Sequence, residues 1–366
     1  MIERVLIYRL GSLGDTVVAL PALHLVERAF PGAERRLLTN MPTHSKAPAA
    51  FAVLEGSRLV QGFMDYPWRT RSFGDLARLW WKIVRFRPQV VVYLMGQRNT
   101  ESRDRWFFRL CGVREVIGLP TGDLAEPLYD PATGVWEHEG ARLARCLRSR
   151  LGEVDLQDPA NWDLRLTEAE ERKAAEVLIP AGNRPIVTCG PGTKMQAKDW
   201  GQENWRQLLS RLSREFPNHA LVLVGAKEDA AAADYAAEEW GGPIINVCGK
   251  LTPRETAGVL RRAELFLGPD SGPMHLAAAY GVPCAIPFAA LDRAGRWFPI
   301  GSRHRLIYHH VDCENCRLTV CIEERKKCLT SITVEEMMTA ALEAWREGQA
   351  ERRLKSSSGR PRACTS

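Results

Sequence analysis

The chain has 366 residues, of which 45% are hydrophobic and 26% charged; this is an ordinary globular composition with room for two domains. No apolar run approaches the roughly 20 residues that cross a bilayer, which excludes a helical span. The net charge of +6 is too modest to imply nucleic acid by itself, and no nucleic-acid partner is expected.

The elements alternate strand and helix in both halves, the signature of α/β layering. MIERVLIYRL enters a strand at once, VLIY at 5–8, without the pattern of a secretory signal; a cytoplasmic location is expected. TVVALPALHLVERAF has helical spacing, with Pro21 as a kink. RRLLTN opens a second strand, ARLWWKIVRF is a basic helix and QVVVYLM (89–95) is a β-branched strand. RDRWFFRLCG reads as a helix ending at Gly112, and REVIGL as a short strand.

In the second half, Thr167 and Glu170 form a capping box for TEAEERKAAEVL. Strands are expected in PIVTCG, HALVLVG, PIINVCG, ELFLG and VPCAIPF. Helices are expected in WGQENWRQLLSRLSREF, DAAAADYAAEEW, TPRETAGVLRRA and MHLAAAYG. Strands followed by glycine loops and helices predict a parallel, doubly wound, Rossmann-like sheet in each half. The predicted domains are 1–165 and 166–348, and 349–366 is expected to be a disordered basic tail.

Ligands bind such sheets at the carboxyl ends of the strands, so three loops carry the chemistry. GSLGD (11–15) lacks both G-x-G-x-x-G and a Walker lysine. Asp15 there is either a helix N-cap or a carboxylate held at a strand tip as a general base. CGPGTKMQAKDW (189–200) offers glycines, the Thr193 hydroxyl and two cations, Lys194 and Lys198. It is either a diphosphate loop or a solvated lysine loop before a helix. In GPDSGPMHLAAAYG (268–281), Asp270, Ser271 and Gly272 precede a helix start. The free N–H groups there make an anion site, or the helix is merely capped, with Pro273 in its first turn. His275 alone reads as a packed polar residue.

RLGSLGDTVVALPAL, PGTKMQAKDWGQENW and DSGPMHLAAAYGVP together resemble the signatures of glycosyltransferase family 9, the heptosyltransferases. The order and separation match, and the resemblance covers roughly residues 2 to 345. It implies a GT-B fold, with two Rossmann-like domains facing across a cleft. It implies inverting transfer of a heptose from ADP-heptose to a lipopolysaccharide core or related glycan, the acceptor on the first domain and the nucleotide sugar on the second. Carried over, Asp15 next to Gly14 is the base. Thr193, Lys198 and the N–H groups of Ser271 and Gly272 hold the diphosphate, and Lys194 is a further candidate on the same loop. Asp270 contacts the sugar, with His275 nearby. Glu228 binds the ribose, and the backbone at Lys250 and Leu251 flanks the adenine. Arg98 and Arg103 lie near the acceptor loop. The absence of a D-x-D points to a reaction that requires no metal cofactor. A monomer is expected.

The family often places polar residues where this chain has Tyr93 and Met95, which leaves the acceptor open. Two other readings are a same-fold enzyme using another nucleotide sugar and a nucleotide-binding module without catalysis. Cys313, Cys316, Cys321 and Cys328 are spaced C-x2-C-x4-C-x6-C. They could close a structural zinc site or be a loop of packed thiols. From Trp68 to Pro88, six basic residues stand against the single Asp75. ARLWWKIVRF is then either a helix with a solvated basic face or a contact with the inner-membrane surface. The second reading makes the enzyme membrane-peripheral.

Overall fold

The computed structural model describes residues 2–40, 48–67, 72–96 and 100–358. It divides into two compact units. The first is Met1–Glu171 with Thr252–Arg254 and Arg293–Phe298; the second is Arg172–Leu251, Glu255–Asp292 and Pro299–Ser366.

The first unit runs β1 (Arg4–Tyr8), α1 (Leu13–Val17), α2 (Leu20–Ala29), β2 (Glu34–Thr39), α3 (Ala50–Leu54), β3 (Gly62–Asp65), α4 (Phe73–Phe86), β4 (Val90–Tyr93), α5 (Glu101–Leu110) and β5 (Glu115–Ile117). A small hairpin, β6 (Tyr129–Asp130) and β7 (Val135–Trp136), leads into α6 (Glu139–Leu151). The five-stranded sheet has the order β3-β2-β1-β4-β5, all parallel. Its central strands β1 and β4 are apolar and almost wholly buried, as helix-covered parallel strands are. One face packs Leu6, Tyr8, Val91 and Tyr93 on Leu79, Ile83 and Phe86 of α4 and Phe108 of α5. Pro21 does not kink one helix; it stands in the first turn of α2, a new helix after α1, where its missing N–H costs nothing.

In the second unit, α7 (Glu168–Val177) enters from the first. It is followed by β8 (Ile186–Cys189), α8 (Gln202–Glu215), β9 (Ala220–Leu223), α9 (Ala230–Ala237), β10 (Ile244–Asn246), α10 (Pro253–Leu260), β11 (Leu265–Leu267), α11 (Gly272–Ala279), β12 (Cys284–Pro287), β13 (Arg305–Ile307), α12 (Lys327–Thr330) and α13 (Val334–Ser358). The parallel sheet has the order β10-β9-β8-β11-β12-β13. Trp205, Leu208 and Leu212 of α8 and Met337, Ala341 and Ala344 of α13 pack on Val187, Leu221 and Leu265. The Thr167–Glu170 capping box forms at α7, with the Glu170 carboxylate accepting from Thr167 N–H (2.7 Å) and Oγ1 (2.9 Å).

The expected tail is corrected in part. Residues 349–358 continue α13 as helix, because this helix is anchored on the sheet upstream and Arg352 reaches Glu264 at 3.0 Å; 359–366 lie outside the described residues.

Candidate active site

In a doubly wound sheet the strand order reverses at one point, and the loops on either side of it diverge to leave a binding crevice. In the first unit that point lies between β1 and β4, in the second between β8 and β11. Asp15 follows β1. Lys198 follows β8, and Asp270 follows β11.

Asp15 is not the N-cap. Ser12 holds that position, and Asp15 is the third helical residue of α1. Its Oδ2 accepts from Ser12 N–H at 2.9 Å and Ser12 Oγ at 3.3 Å, while the side chain stays 34% exposed. The carboxylate thus closes its own helix start and still faces solvent. Gly14 lies within α1, its carbonyl accepting from Val18 N–H. Gly11 allows the tight approach. A Cβ there would lie 2.3 Å from Asp15 Cβ, and its φ of +147° suits glycine.

Behind Asp15 lies a buried charge network. Arg9 donates through Nη2 (2.9 Å) and Nε (3.1 Å) to the Asp15 carbonyl and through Nη1 to the Leu94 carbonyl (2.7 Å). Its Nη2 is 3.8 Å from Asp15 Oδ1. Glu139, at the start of α6, accepts from Arg142 at 2.8 and 3.1 Å and lies 3.4 Å from Arg9 and 3.3 Å from Arg296. Burial opposes ionisation of Glu139, but hydrogen bonds and charge from Arg142, then Arg9 and Arg296, outweigh it and hold its carboxyl at about 2. The network ties the ends of β1 and β4 together, because Arg142 also donates to the Met95 carbonyl at 3.2 Å.

Tyr93 and Met95 are structural. Tyr93 OH donates to Asp104 at 3.0 Å, and Met95 Sδ accepts from Leu10 N–H at 3.1 Å. Arg103 pairs with the same Asp104 at 3.0 Å and remains 56% exposed. Arg98 lies outside the described residues, as do Arg69 and Arg71 of the basic stretch.

In the second unit, the two switch-point loops meet. Lys198 Nζ hydrogen-bonds Asp270 Oδ2, and His275 Nε2 lies 3.8 Å from Asp270 Oδ1. Asp270 and His275 are both buried. Ser271 is the N-cap of α11, with Gly272 and Pro273 next, so the amides of Ser271, Gly272 and Met274 have no acceptor within the helix. The Ser271 hydroxyl is buried and finds no partner among the described residues. Thr193 accepts from Met195 N–H at 3.3 Å, and Lys194 is exposed on the same loop. A cation, helix-start amides and a hydroxyl therefore surround one carboxylate that can accept hydrogen bonds from sugar hydroxyls.

The loops after β9 and β10 abut. A Cβ on Gly249, whose φ is +69°, would lie 2.5 Å from Lys227 Cα, which sets exposed Glu228 beside Lys250 and half-buried Leu251. Sequence pattern pointed to Glu228 and overlooked its neighbour Asp229. Asp229 is buried and accepts from Ala226 N–H at 2.9 Å, and a Cβ on Gly192 would lie 2.2 Å from its Cγ. Gly192→Ala is therefore expected to displace the loop carrying Thr193 and Lys198. The thermal midpoint of the variant should stay near that of the parent while nucleotide affinity, read by calorimetry, falls at least tenfold. Unchanged affinity would mean the loop does not hold nucleotide.

Of the four late cysteines, Cys321 and Cys328 are buried and Cys313 and Cys316 half-exposed. Cys321 and Cys328 lie in the core of the second unit, with Cys316 against it. No three of the four sulfurs come within 4.8 Å of one another; the one metal-sized group among the described residues is Asp312, Cys313 and Glu324, and Lys327 already bonds both carboxylates.

The family model for glycosyltransferase family 9 (heptosyltransferase) matches residues 142–327. Lipopolysaccharide heptosyltransferase 1 of Pseudomonas aeruginosa is 27% identical over 76% of this chain and 77% of the relative. Lipooligosaccharide heptosyltransferase 2 of Campylobacter jejuni is 23% identical over 90% and 94%. Among solved structures, the glycosyl transferase family 9 protein of Veillonella parvula matches with a TM-score of 0.70 at 18% identity, covering 94% of this chain and 98% of that one. Escherichia coli heptosyltransferase WaaC with ADP-2-deoxy-2-fluoro heptose matches at 0.63 and 18%, covering 95% and 99%. Two parallel Rossmann-like sheets with site loops at their switch points make this a glycosyltransferase fold of the GT-B type. The chain belongs to glycosyltransferase family 9, the heptosyltransferases.

Proposed function

We propose that the protein is an inverting heptosyltransferase that moves a heptose from ADP-heptose to a lipopolysaccharide core or related lipid-linked glycan. The observation that carries this is the meeting of Lys198, Asp270 and the α11 N-terminus at one switch point. In this reading the donor diphosphate lies on the α11 amides, with Thr193 and Lys198 around it. Asp270 orients the sugar hydroxyls, Glu228 the ribose, and the backbone at Lys250–Leu251 the adenine. Asp15 takes the proton of the acceptor hydroxyl. The oxygen attacks the anomeric carbon, the bond to the β-phosphate oxygen breaks with its electron pair, and the anomeric configuration inverts. Lysine and helix N-terminus stabilise the charge on departing ADP, so the reaction is expected to survive chelation of divalent metal. The names of the relatives support donor and acceptor classes, and a membrane-borne acceptor places the work at the cytoplasmic face of the inner membrane.

A thermal-shift screen of ADP, UDP, GDP and their sugars tests the donor. A ligand at a hundred times its Kd stabilises the folded state by about 2.7 kcal/mol. ADP and ADP-heptose should raise the midpoint by several degrees, and UDP and GDP should not. Stabilisation by UDP-sugars alone would overturn the choice of donor.

A further inference from the structure

Helix α4 presents three faces at helical spacing. Leu79, Ile83 and Phe86 are buried in the core. Arg78, Lys82 and Arg85 (i, i+4, i+7) share a second, exposed face. Phe73 and Trp80 share a third, and there Trp80 Nε1 donates to the Leu110 carbonyl at the end of α5 at 3.0 Å. The outer surface of this layer is unusually apolar for an exposed region. Phe73 is 89% exposed, Trp81 55%, and on α5 Trp106 67% and Leu110 70%. Isolated exposed apolar residues need no explanation, but tryptophans gathered over two adjoining helices and flanked by cations do.

The charges choose among the occupants. Arg105 and Arg109 of α5 are exposed beside Trp106, whereas Glu101 and Asp104 of the same helix are buried. On α4 the one acid, Asp75, is engaged by Arg78 at 3.0 Å. The Arg85 guanidinium lies 5.5 Å from the Trp81 ring centroid, so aromatic and cation form a single unit. Below them a cavity of about 330 Å³ is lined by Arg4, Arg36, Lys82 and Arg85 as well as Glu34 and Asp65. Indole rings with basic side chains around them are the composition that seats at a lipid headgroup layer. Among the described residues no helix is long and apolar enough to cross a membrane, so the contact is interfacial.

We propose that the outer face of α4 and α5 docks on an anionic bilayer, with Phe73, Trp80, Trp81 and Trp106 at the headgroup boundary. Arg78, Lys82 and Arg85 lie over anionic headgroups, and the cavity receives a headgroup phosphate. This surface stands on its own geometry and does not require the donor assignment above.

The test is co-flotation of the full chain with vesicles of phosphatidylcholine, with or without phosphatidylglycerol, in the absence of any sugar nucleotide. Binding is expected only to the anionic vesicles and should weaken with added salt. The triple variant R78A/K82A/R85A should lower the partition coefficient by about a hundredfold. W81S/W106S should bind weakly and lose the blue shift of tryptophan emission that vesicles give the parent. All five side chains are exposed, so circular dichroism should be unchanged. Equal binding to neutral vesicles, or anionic binding unaffected by both variants, would overturn the proposal. So would sedimentation showing that the face instead joins two copies of the chain, with dimers lost in W81S/W106S. Failure here leaves the nucleotide screen untouched, and failure there leaves this surface untouched.

Discussion

Asp15→Asn is expected to lower kcat by about 10²–10⁴-fold, the usual contribution of a positioned general base, while leaving ADP affinity and thermal midpoint unchanged. The reasoning rests on what the substitution keeps. Asparagine has the same shape, and its amide oxygen can still accept from Ser12 N–H, so α1 keeps its start. Arg9 hydrogen-bonds the backbone carbonyl of residue 15, a grip that asparagine keeps, and only the longer 3.8 Å ion pair to Oδ1 is lost. What disappears is the ability to take a proton at an oxygen that is one-third exposed at the end of β1. Released ADP in a steady-state assay measures the loss, and the thermal shift with ADP serves as the control. A variant within a few-fold of the parent would reduce Asp15 to a helix-start residue and favour a nucleotide-binding module without this base. The N-cap reading of Asp15 passes to Ser12, and kinetics decides whether the carboxylate at the third helical position is also a base.

The inner strands of both sheets were visible because VLIY, VVVY, ALVL and LFL are short apolar runs ended by glycine loops, whereas the edge strands β3 (GFMD) and β13 (RLI) carry no such pattern. Their sequence spacing also carried the switch-point sites, since the loop after the first and fourth strand of each unit is where ligands belong. Helix α6 was not visible. EGARLARCLRSRL is dense in arginine, and a charged residue is ordinarily taken as solvated. In this chain Glu139 and Arg142 are buried, each made tolerable by the other and by Arg9, a partner 130 positions away in the sequence. No local pattern reports such a partner. Asp229 escaped for a related reason, because which of two adjacent carboxylates turns inward depends on how closely Gly192 approaches. The cysteine spacing carried two readings, and it did not show that Cys321 and Cys328 lie in an apolar core while Cys313 is half-exposed.

Glu139→Gln should be the most destabilising polar substitution in the first unit. The carboxylate is 1% exposed and is the shared anion of Arg9, Arg142 and Arg296. Glutamine fills the same volume but leaves buried guanidinium groups without an opposite charge, and breaking a buried pair in this way costs about 3–5 kcal/mol. The pH dependence gives the sign. The folded carboxyl is held at about 2 against an ordinary value of 4.5, so the unfolded chain binds a proton first as pH falls. The stabilisation is therefore complete above about pH 4.5 and is lost progressively as pH drops toward 2. Denaturant midpoints measured between neutral and acid pH should fall steeply in the parent over that window. In Glu139→Gln they should start lower and fall less, so the two curves converge at acid pH. Parallel curves would show that the acid sensitivity lies elsewhere. Glu264 is a rival source, since His219, Gln349, Trp345 and Arg352 hold its carboxyl at about 2 as well. The convergence, and not the acid sensitivity alone, assigns the effect to the network beneath Asp15.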